Sequence, residues 1–236
     1  MKKKIFLFII FVLFVLMIVD IVCQVLTRET IKQKEDSIIK ELNSLDLDST
    51  TKLMIVAHPD DDIIWGGSHL IDDNYLVICV TCGVDLKRVE EFKNVMSKTN
   101  DDYIMLGYPD KTNGKRDDWN SVYDSVTNSL KTIINYKDWE LVVTHNPDGE
   151  YGHVQHKMTS KIVTEIVSSK NLVYFGRYYK SNSVPDDLES ITDENYNIKV
   201  NTLVPLYASQ AIIKPYGHML NHEVWIPYKK WSDNND

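Results

Sequence analysis

Residues 53–62 read Leu53-Met54-Ile55-Val56-Ala57-His58-Pro59-Asp60-Asp61-Asp62. An apolar run closed at once by a proline suits a buried parallel strand, which is covered on both faces. Such strands present their functional groups at the carboxyl edge of the sheet. Here that edge would carry an imidazole and up to three carboxylates. Asp60, Asp61 and Asp62 repel one another when ionised, so a compensating positive charge is expected. A divalent metal is the simplest candidate, since histidine and aspartate oxygen make a zinc-type donor set. The alternative at this point is a solvated acidic turn.

Outward from this strand, Lys52–Ala57, the pattern alternates. Ile63–Leu70 starts a helix, Tyr75–Thr81 is a second strand, and Leu86–Lys98 carries a helical stripe at Val89, Phe92 and Met96. Tyr103–Leu106 is a short third strand, and residues 107–119 form a polar loop. Ser121–Tyr136 reads as a helix, Trp139–Thr144 as a fourth strand, Lys157–Ser168 as a helix and Asn171–Arg177 as a fifth strand. Strands alternating with helices of this length predict an α/β fold, a doubly wound, mostly parallel sheet of Rossmann-like type. No GxGxxG phosphate loop and no internal repeat accompany it. Residues 180–202 lack strong periodicity and read as a loop or an excursion with weak strands. Pro205–Ile213 resumes a helical pattern, and the VWIPYKKW segment (residues 224–231) reads as a closing edge.

The N-terminus has a separate character. Met1-Lys2-Lys3-Lys4 precedes Ile5–Leu26, which is uninterrupted and apolar as far as Val19. That is about the ~20 residues needed to cross a bilayer. No small-x-small cleavage site follows, so residues 1–28 read as a cytoplasmic tip and an uncleaved transmembrane signal anchor. Residues 29–50 read as an amphipathic linker helix, with Ile31, Ile38, Ile39, Leu42 and Leu45 on its apolar positions. Residues 51–236 read as the globular domain that carries the polar cluster. Lys2, Lys3 and Lys4 direct the N-terminus inside and the domain outside, although Arg28, Lys32, Lys34 and Lys40 on the other flank weigh the opposite way. The expected location is the cell membrane, as a single-pass protein.

A formal charge of −8 argues against a nucleic-acid backbone as partner. Of the three cysteines, Cys23 lies in the apolar segment. Cys79 and Cys82 are three apart on a strand and face opposite sides, which disfavours a disulfide or zinc knuckle. The oligomeric state is not readable from the chain.

A second polar cluster, His145-Asn146-Pro147-Asp148-Gly149-Glu150-Tyr151-Gly152-His153-Val154-Gln155-His156, also follows a strand. In a parallel sheet it therefore shares an edge with His58 and the aspartates. His153 and His156, three apart, share a face if they open a helix. A lone histidine there would be a surface or capping residue; two, at the same edge as the first cluster, predict a shared metal site.

At this point the sequence resembles the PIG-L/LmbE-like family of zinc-dependent N-deacetylases, which act on N-acetylglucosaminyl compounds. That family's first motif, Ala-His-Pro-Asp-Asp-Glu, is matched by Ala57-His58-Pro59-Asp60-Asp61-Asp62, one methylene short at the end. The resemblance implies zinc on His58, Asp61 and His156, a general base at Asp60, and oxyanion stabilisation or protonation by His153. Where the family often has Pro-Asp between its two histidines, this chain has Val154-Gln155. Thr81-Cys82-Gly83 with Arg88 and Glu91 resembles the family's Thr-x-Gly…Arg-x-x-Glu segment, and Tyr207-Ala208-Ser209-Gln210 its late Tyr-x-Ser-Gln element. The resemblance covers roughly residues 50 to 215.

The chemistry is coherent in its own right. Three ligands leave zinc, or another divalent metal, one open position, as catalytic sites require. Arg88 is either half of a helical ion pair with Glu91 or a substrate-binding residue; Tyr151 and Asp148 are expected to line the pocket. Asp62 and His145 read as supporting or capping residues, and Tyr207 and Gln210 as helix packing. The function expected is a membrane-anchored N-deacetylase acting on an N-acetylhexosaminyl group of a glycolipid or envelope glycan. The alternatives are an amidase on another acyl-amine or thiol glycoside, and a silent sugar-binding domain.

Overall fold

A computed structural model describes residues 2–167 and 171–233; Ser168, the last residue of one expected helix, lies outside them. The strands of the main sheet are β1 (Lys52–Val56), β2 (Leu76–Thr81), β3 (Asp102–Tyr108), β6 (Leu141–Thr144), β7 (Leu172–Tyr174) and β8 (Ile226–Pro227); β4 (Lys111–Thr112) and β5 (Lys115–Arg116) form a separate small hairpin. Among the described residues the six strands are ordered β3-β2-β1-β6-β7-β8. All neighbours are parallel except β7 and β8, so the fold is the expected mostly parallel α/β sheet.

The period of two along the strands explains its two covered faces. Leu53 and Ile55 of β1, Leu76, Ile78 and Val80 of β2, and Val142 of β6 point into one core. Met54 and Val56, Val77 and Cys79, and Val143 point into the other. The first core lies under α4 (Tyr123–Ile134) and α5 (Val154–Val167); the second lies under α2 (Asp61–Asp72) and α3 (Leu86–Thr99). α3 starts where Asp85 accepts hydrogen bonds from the Lys87 and Arg88 amides and stops at Asn100, left-handed at φ 65°. Cys79 is buried, Cys82 is half-buried, and both are free thiols.

The helix α1 runs unbroken from Lys2 to Leu42, and by length and composition its N-terminal part can cross a membrane. Its last turns dock on α4, with Ile38 and Leu42 fully buried in the first core.

The C-terminal third differs from the expectation. Residues 180–192 are a loop, as expected, but residues 193–202 are neither loop nor weak strand. Asp193–Ile198 is a helix (α6) that runs on through a wider turn, Lys199–Leu203, into a tight turn, Val204–Leu206. The expected helix at Pro205–Ile213 is largely absent; only Ile213–Tyr216 (α7) is helical there. The reason is chemical. The helix inward face carries Asn195 and Lys199, both buried. Asn195 Nδ2 donates to Ser68 Oγ and Asp72 Oδ2, and Lys199 Nζ to the Ile64 and Leu220 carbonyls and to Glu223. A buried face built from polar residues has no apolar stripe to read. At the end, Tyr228–Asp233 (α8) forms a helix, and only Ile226–Pro227 of the VWIPYKKW segment adds an edge strand.

Candidate active site

The two clusters meet between β1 and β6, where the strand order reverses direction and a parallel sheet opens a crevice. Thr81 Oγ1 donates to the Ala57 carbonyl at 2.7 Å, and the Ala57 amide donates to His145 Nε2 at 2.9 Å. These bonds fix the chain as it leaves β1. The His58 amide then donates to Asp61 Oδ2 at 2.9 Å, closing the turn into α2. Asp61 and Asp62 open that helix, where negative charge is favoured by the exposed amides. α5 begins at Val154, placing His156 in its first turn and His153 just before it.

Three donor atoms form a near-equilateral triangle. His58 Nδ1 lies 3.1 Å from Asp61 Oδ2 and 3.2 Å from His156 Nε2, and His156 Nε2 lies 3.3 Å from Asp61 Oδ2. Donors held about 2.0–2.1 Å from a tetrahedral ion would be ~3.3–3.4 Å apart. The protons sit where such an ion needs them. Gln155 Nε2 donates to the carbonyls of Pro109 and Asp110, both at 3.1 Å, so its Oε1 must accept from His58 Nε2, at 2.7 Å. His58 Nδ1 therefore carries a lone pair toward the triangle. His156 Nδ1 donates to Glu150 Oε2 at 2.5 Å, which frees Nε2 in the same way. The residues present thus fit a divalent cation.

Glu150 also takes the His145 Nδ1 proton at 3.0 Å, and its Oε1 accepts from the Asn146 amide at 3.0 Å. Burial works to raise its pKa, but His145 and His156 hold it down at about 2. His145 cannot offer Nε2 to an ion while the Ala57 amide occupies it, so it braces Glu150 and β1. Neither Glu150 nor the Gln155 contact was foreseen from the sequence. The available signal was a carboxylate inside the same loop as two candidate ligands.

The triangle lies at the floor of a pocket of about 250 Å³ lined by His58, Asp60, Asp61, Arg88, Tyr151 and His153, with Lys111, Arg116, Gln210 and Tyr216 completing the wall. Of the residues expected at the site, His58, Asp60, Asp61, Arg88, Tyr151 and His153 face this pocket and His156 lies directly beneath His58 and Asp61. Burial and the neighbouring Asp61 charge raise the Asp60 pKa to about 7, against the pull of Arg88. Burial and the adjacent His156 and His58 lower that of His153 to about 3, leaving a neutral ring. The Gln155 amide donates to His153 Nδ1 at 3.3 Å, so the proton of that neutral ring is on Nε2.

Three expectations are corrected. Arg88 and Glu91 are not a helical ion pair: Arg88 donates to the Pro59 carbonyl at 2.6 Å and lies 3.6 Å from Asp60, while Glu91 accepts from the amide and hydroxyl of Ser209. Tyr207 is more than packing, because its hydroxyl donates across both oxygens of buried Asp62 at 2.8 and 2.9 Å. Asp148 lies outside the pocket and pairs with Arg177 on the surface. The late Tyr-x-Ser-Gln element therefore clamps the turn that holds Asp60 and Asp61.

Fold and site together define a Rossmann-like α/β protein with a buried His/Asp/His cluster at its topological switch point. The family model described as "PIG-L: GlcNAc-PI de-N-acetylase" matches residues 53–167. An uncharacterized protein, L374, of Acanthamoeba polyphaga mimivirus is 33% identical over 196 residues, covering 75% of this chain and 80% of that protein. The chain belongs to the PIG-L family. Among solved structures it is similar to the N,N'-diacetylchitobiose deacetylase of Pyrococcus horikoshii, with a TM-score of 0.55 and 16% identity, over 74% of this chain and 77% of that one. It is also similar to GalB, the 4-carboxy-2-hydroxymuconate hydratase of Pseudomonas putida, with a TM-score of 0.50 and 14% identity over 72% and 82%. Likenesses at this identity concern the fold, which carries more than one chemistry.

Proposed function

We propose that this chain is a metal-dependent N-deacetylase that hydrolyses the acetamide of an N-acetylglucosamine-type sugar. In this reading α1 is an uncleaved single-pass anchor that holds the catalytic domain on the outer face of the cell membrane. The observation that carries the chemistry is the triangle of His58 Nδ1, Asp61 Oδ2 and His156 Nε2, with both imidazole protons directed away from it. The substrate class follows the family description.

When bound at the triangle, zinc or another divalent ion supplies Lewis acidity to the amide carbonyl and to water. The chain's own residues do the rest. Asp60, facing the pocket beside ligand Asp61, takes the proton of the attacking water and passes it to the departing nitrogen. His153 donates from Nε2 to the carbonyl oxygen as that oxygen gains charge. The C–N bond breaks to give acetate and the free amine. Tyr151 and Tyr216, 5.4 Å apart by ring centroid, offer faces to the sugar, and Arg88 holds the Pro59–Asp60 backbone in place.

Elemental analysis of the purified full chain tests the site: about one divalent ion per chain is expected, reduced at least tenfold in His156→Ala. Metal content unchanged by that substitution would remove the ligand assignment. Asp60→Asn is expected to keep the metal and lose about 10²–10⁴-fold in acetate release; full turnover would remove Asp60 as base. Release of amine and acetate in equal amounts distinguishes a deacetylase from a hydratase on the same fold.

A further inference from the structure

Outside α1, the most exposed large apolar side chains are Val84 and Leu86, 83% and 84% exposed, at the tip of the loop between β2 and α3. Ile213, Tyr151 and Val154 follow at 51%, 41% and 37%. These residues are not scattered. All five lie on loops or helix starts at the carboxyl edge of the sheet, around the mouth of the candidate active site. Exposed Lys87, Lys111 and Lys115 stand among them, with Arg116 paired to Asp110 and an exposed acid, Asp85, capping α3. A ring of apolar tips with interspersed cations has the composition of a membrane-interface surface, in which the apolar groups enter the headgroup boundary and the cations meet anionic lipids.

The course of α1 aims this edge. Its C-terminal end lies by the end of α4, where Tyr136 donates to Asn43 Oδ1. Further back along the helix, Lys34 Nζ donates to the Leu106 carbonyl near the carboxyl end of β3 and sits 3.7 Å above the Tyr108 ring. Further back still, Leu26, Thr30 and Ile31 flank Asn120–Ser125, at the start of α4. The helix therefore runs antiparallel to the strands and leaves the domain at the same edge as the pocket. From Leu26 to Val19, where the uninterrupted apolar run ends, is seven residues, or ~10 Å of helix.

We propose that the rim of the pocket docks on the bilayer that α1 enters, with Val84 and Leu86 seated in the lipid interface, so that the enzyme draws an amphiphilic, lipid-linked substrate from that leaflet. The docking rests on the reading of α1 as an anchor, and the substrate class rests on the deacetylase reading. The two can be separated. The full chain is reconstituted in pure vesicles of phosphatidylcholine and phosphatidylglycerol, 3:1, with no other protein present. Flotation with the vesicles tests the anchor alone.

Docking is read from a nitroxide at Leu86→Cys in a Cys23→Ser, Cys82→Ser background, with Asn74→Cys at the opposite edge of the sheet as control. The label at 86 is expected to be at least fivefold less accessible to a water-soluble nickel chelate than the label at 74, and more accessible to oxygen. Equal nickel accessibility at both positions overturns the docking, as it would if this rim served a protein partner. In the activity arm, Val84→Asp with Leu86→Asp is expected to lose tenfold or more on an N-acetylglucosaminyl glycolipid in vesicles and to keep turnover of a water-soluble N-acetylglucosaminide. Equal turnover of both substrates by this variant overturns the substrate class. Absence of turnover by the unmodified chain on either substrate overturns the deacetylase reading and leaves the depth measurement to decide the docking.

Discussion

Gln155 sends both amide hydrogens to backbone carbonyls and keeps only an acceptor for His58, so one side chain sets which imidazole nitrogen is free. Glu150 does the same for His156. Partners of this kind typically contribute 10–100-fold in metal affinity. Gln155→Ala and Glu150→Gln are each expected to weaken divalent-ion binding by about that factor, read by competition with a chromophoric chelator. Unchanged affinity in either variant would show that the tautomer is set elsewhere. His58, Asp60, Asp61, His153 and His156 were legible in the sequence because each sits in a short motif directly after a strand. Gln155 and Glu150 were not, since a residue that acts through a histidine obeys no spacing rule of its own. Their burial, 0% and 8% exposed, is shared with His145 and Asn146 of the same loop, so even burial would not have singled them out.

Strands β1, β2, β3, β6 and β7 and the helices α2 to α5 could be read from the chain because apolar periodicity places them, and their alternation gave the mostly parallel sheet. The segment from Asp193 to Leu206 could not, because its anchoring contacts are polar. Its central one is the buried pair of Lys199 and Glu223, at 2.5 Å, with Glu223 also accepting from the Ser68 amide of α2. Removing one member of such a pair strands the other charge, at a cost of about 3–5 kcal/mol. Lys199→Met is expected to destabilise the protein by about that amount in urea unfolding, and adding Glu223→Gln should restore most of it. No recovery in the double variant would mean that the loss comes from packing rather than charge. A second element junction predicts a pH dependence. Asp101, between α3 and β3, accepts from the Tyr75 amide at 2.7 Å, and burial raises its carboxyl pKa to about 7. The fold disfavours the ionised form, so stability is greatest below the ordinary carboxylate range and is lost as pH climbs from about 4 to about 7. Asp101→Asn is expected to raise Tm at pH 8, by the equivalent of on the order of 2 kcal/mol, with little effect at pH 4. An equal shift at both pH values would rule out titration as the cause.

At the scale of the whole molecule, the segment that reads as a linker is part of the fold. Ile38, Leu42 and Leu47 are 4%, 0% and 6% exposed and complete the first core against α4. Lys137 Nζ donates to the carbonyls of Leu47 and Thr50 at 2.6 and 2.9 Å, tying the chain to the start of β1. Full burial of a large aliphatic side chain contributes about 1.5–3 kcal/mol, so these three together contribute on the order of 5–9 kcal/mol. A domain of this size is stable by only about 5–15 kcal/mol. Two shortened chains decide the matter. One beginning at residue 29 keeps the docked turns without the apolar run, and one beginning at residue 51 loses both. The first is expected to unfold cooperatively; the second is expected to lose roughly 10 °C or more in Tm, or not to fold. Equal Tm values would make the segment a tether. The consequence for function is geometric. A helix whose last turns belong to the core cannot swivel freely about the domain, so under the proposed anchoring its direction of entry fixes where the pocket points.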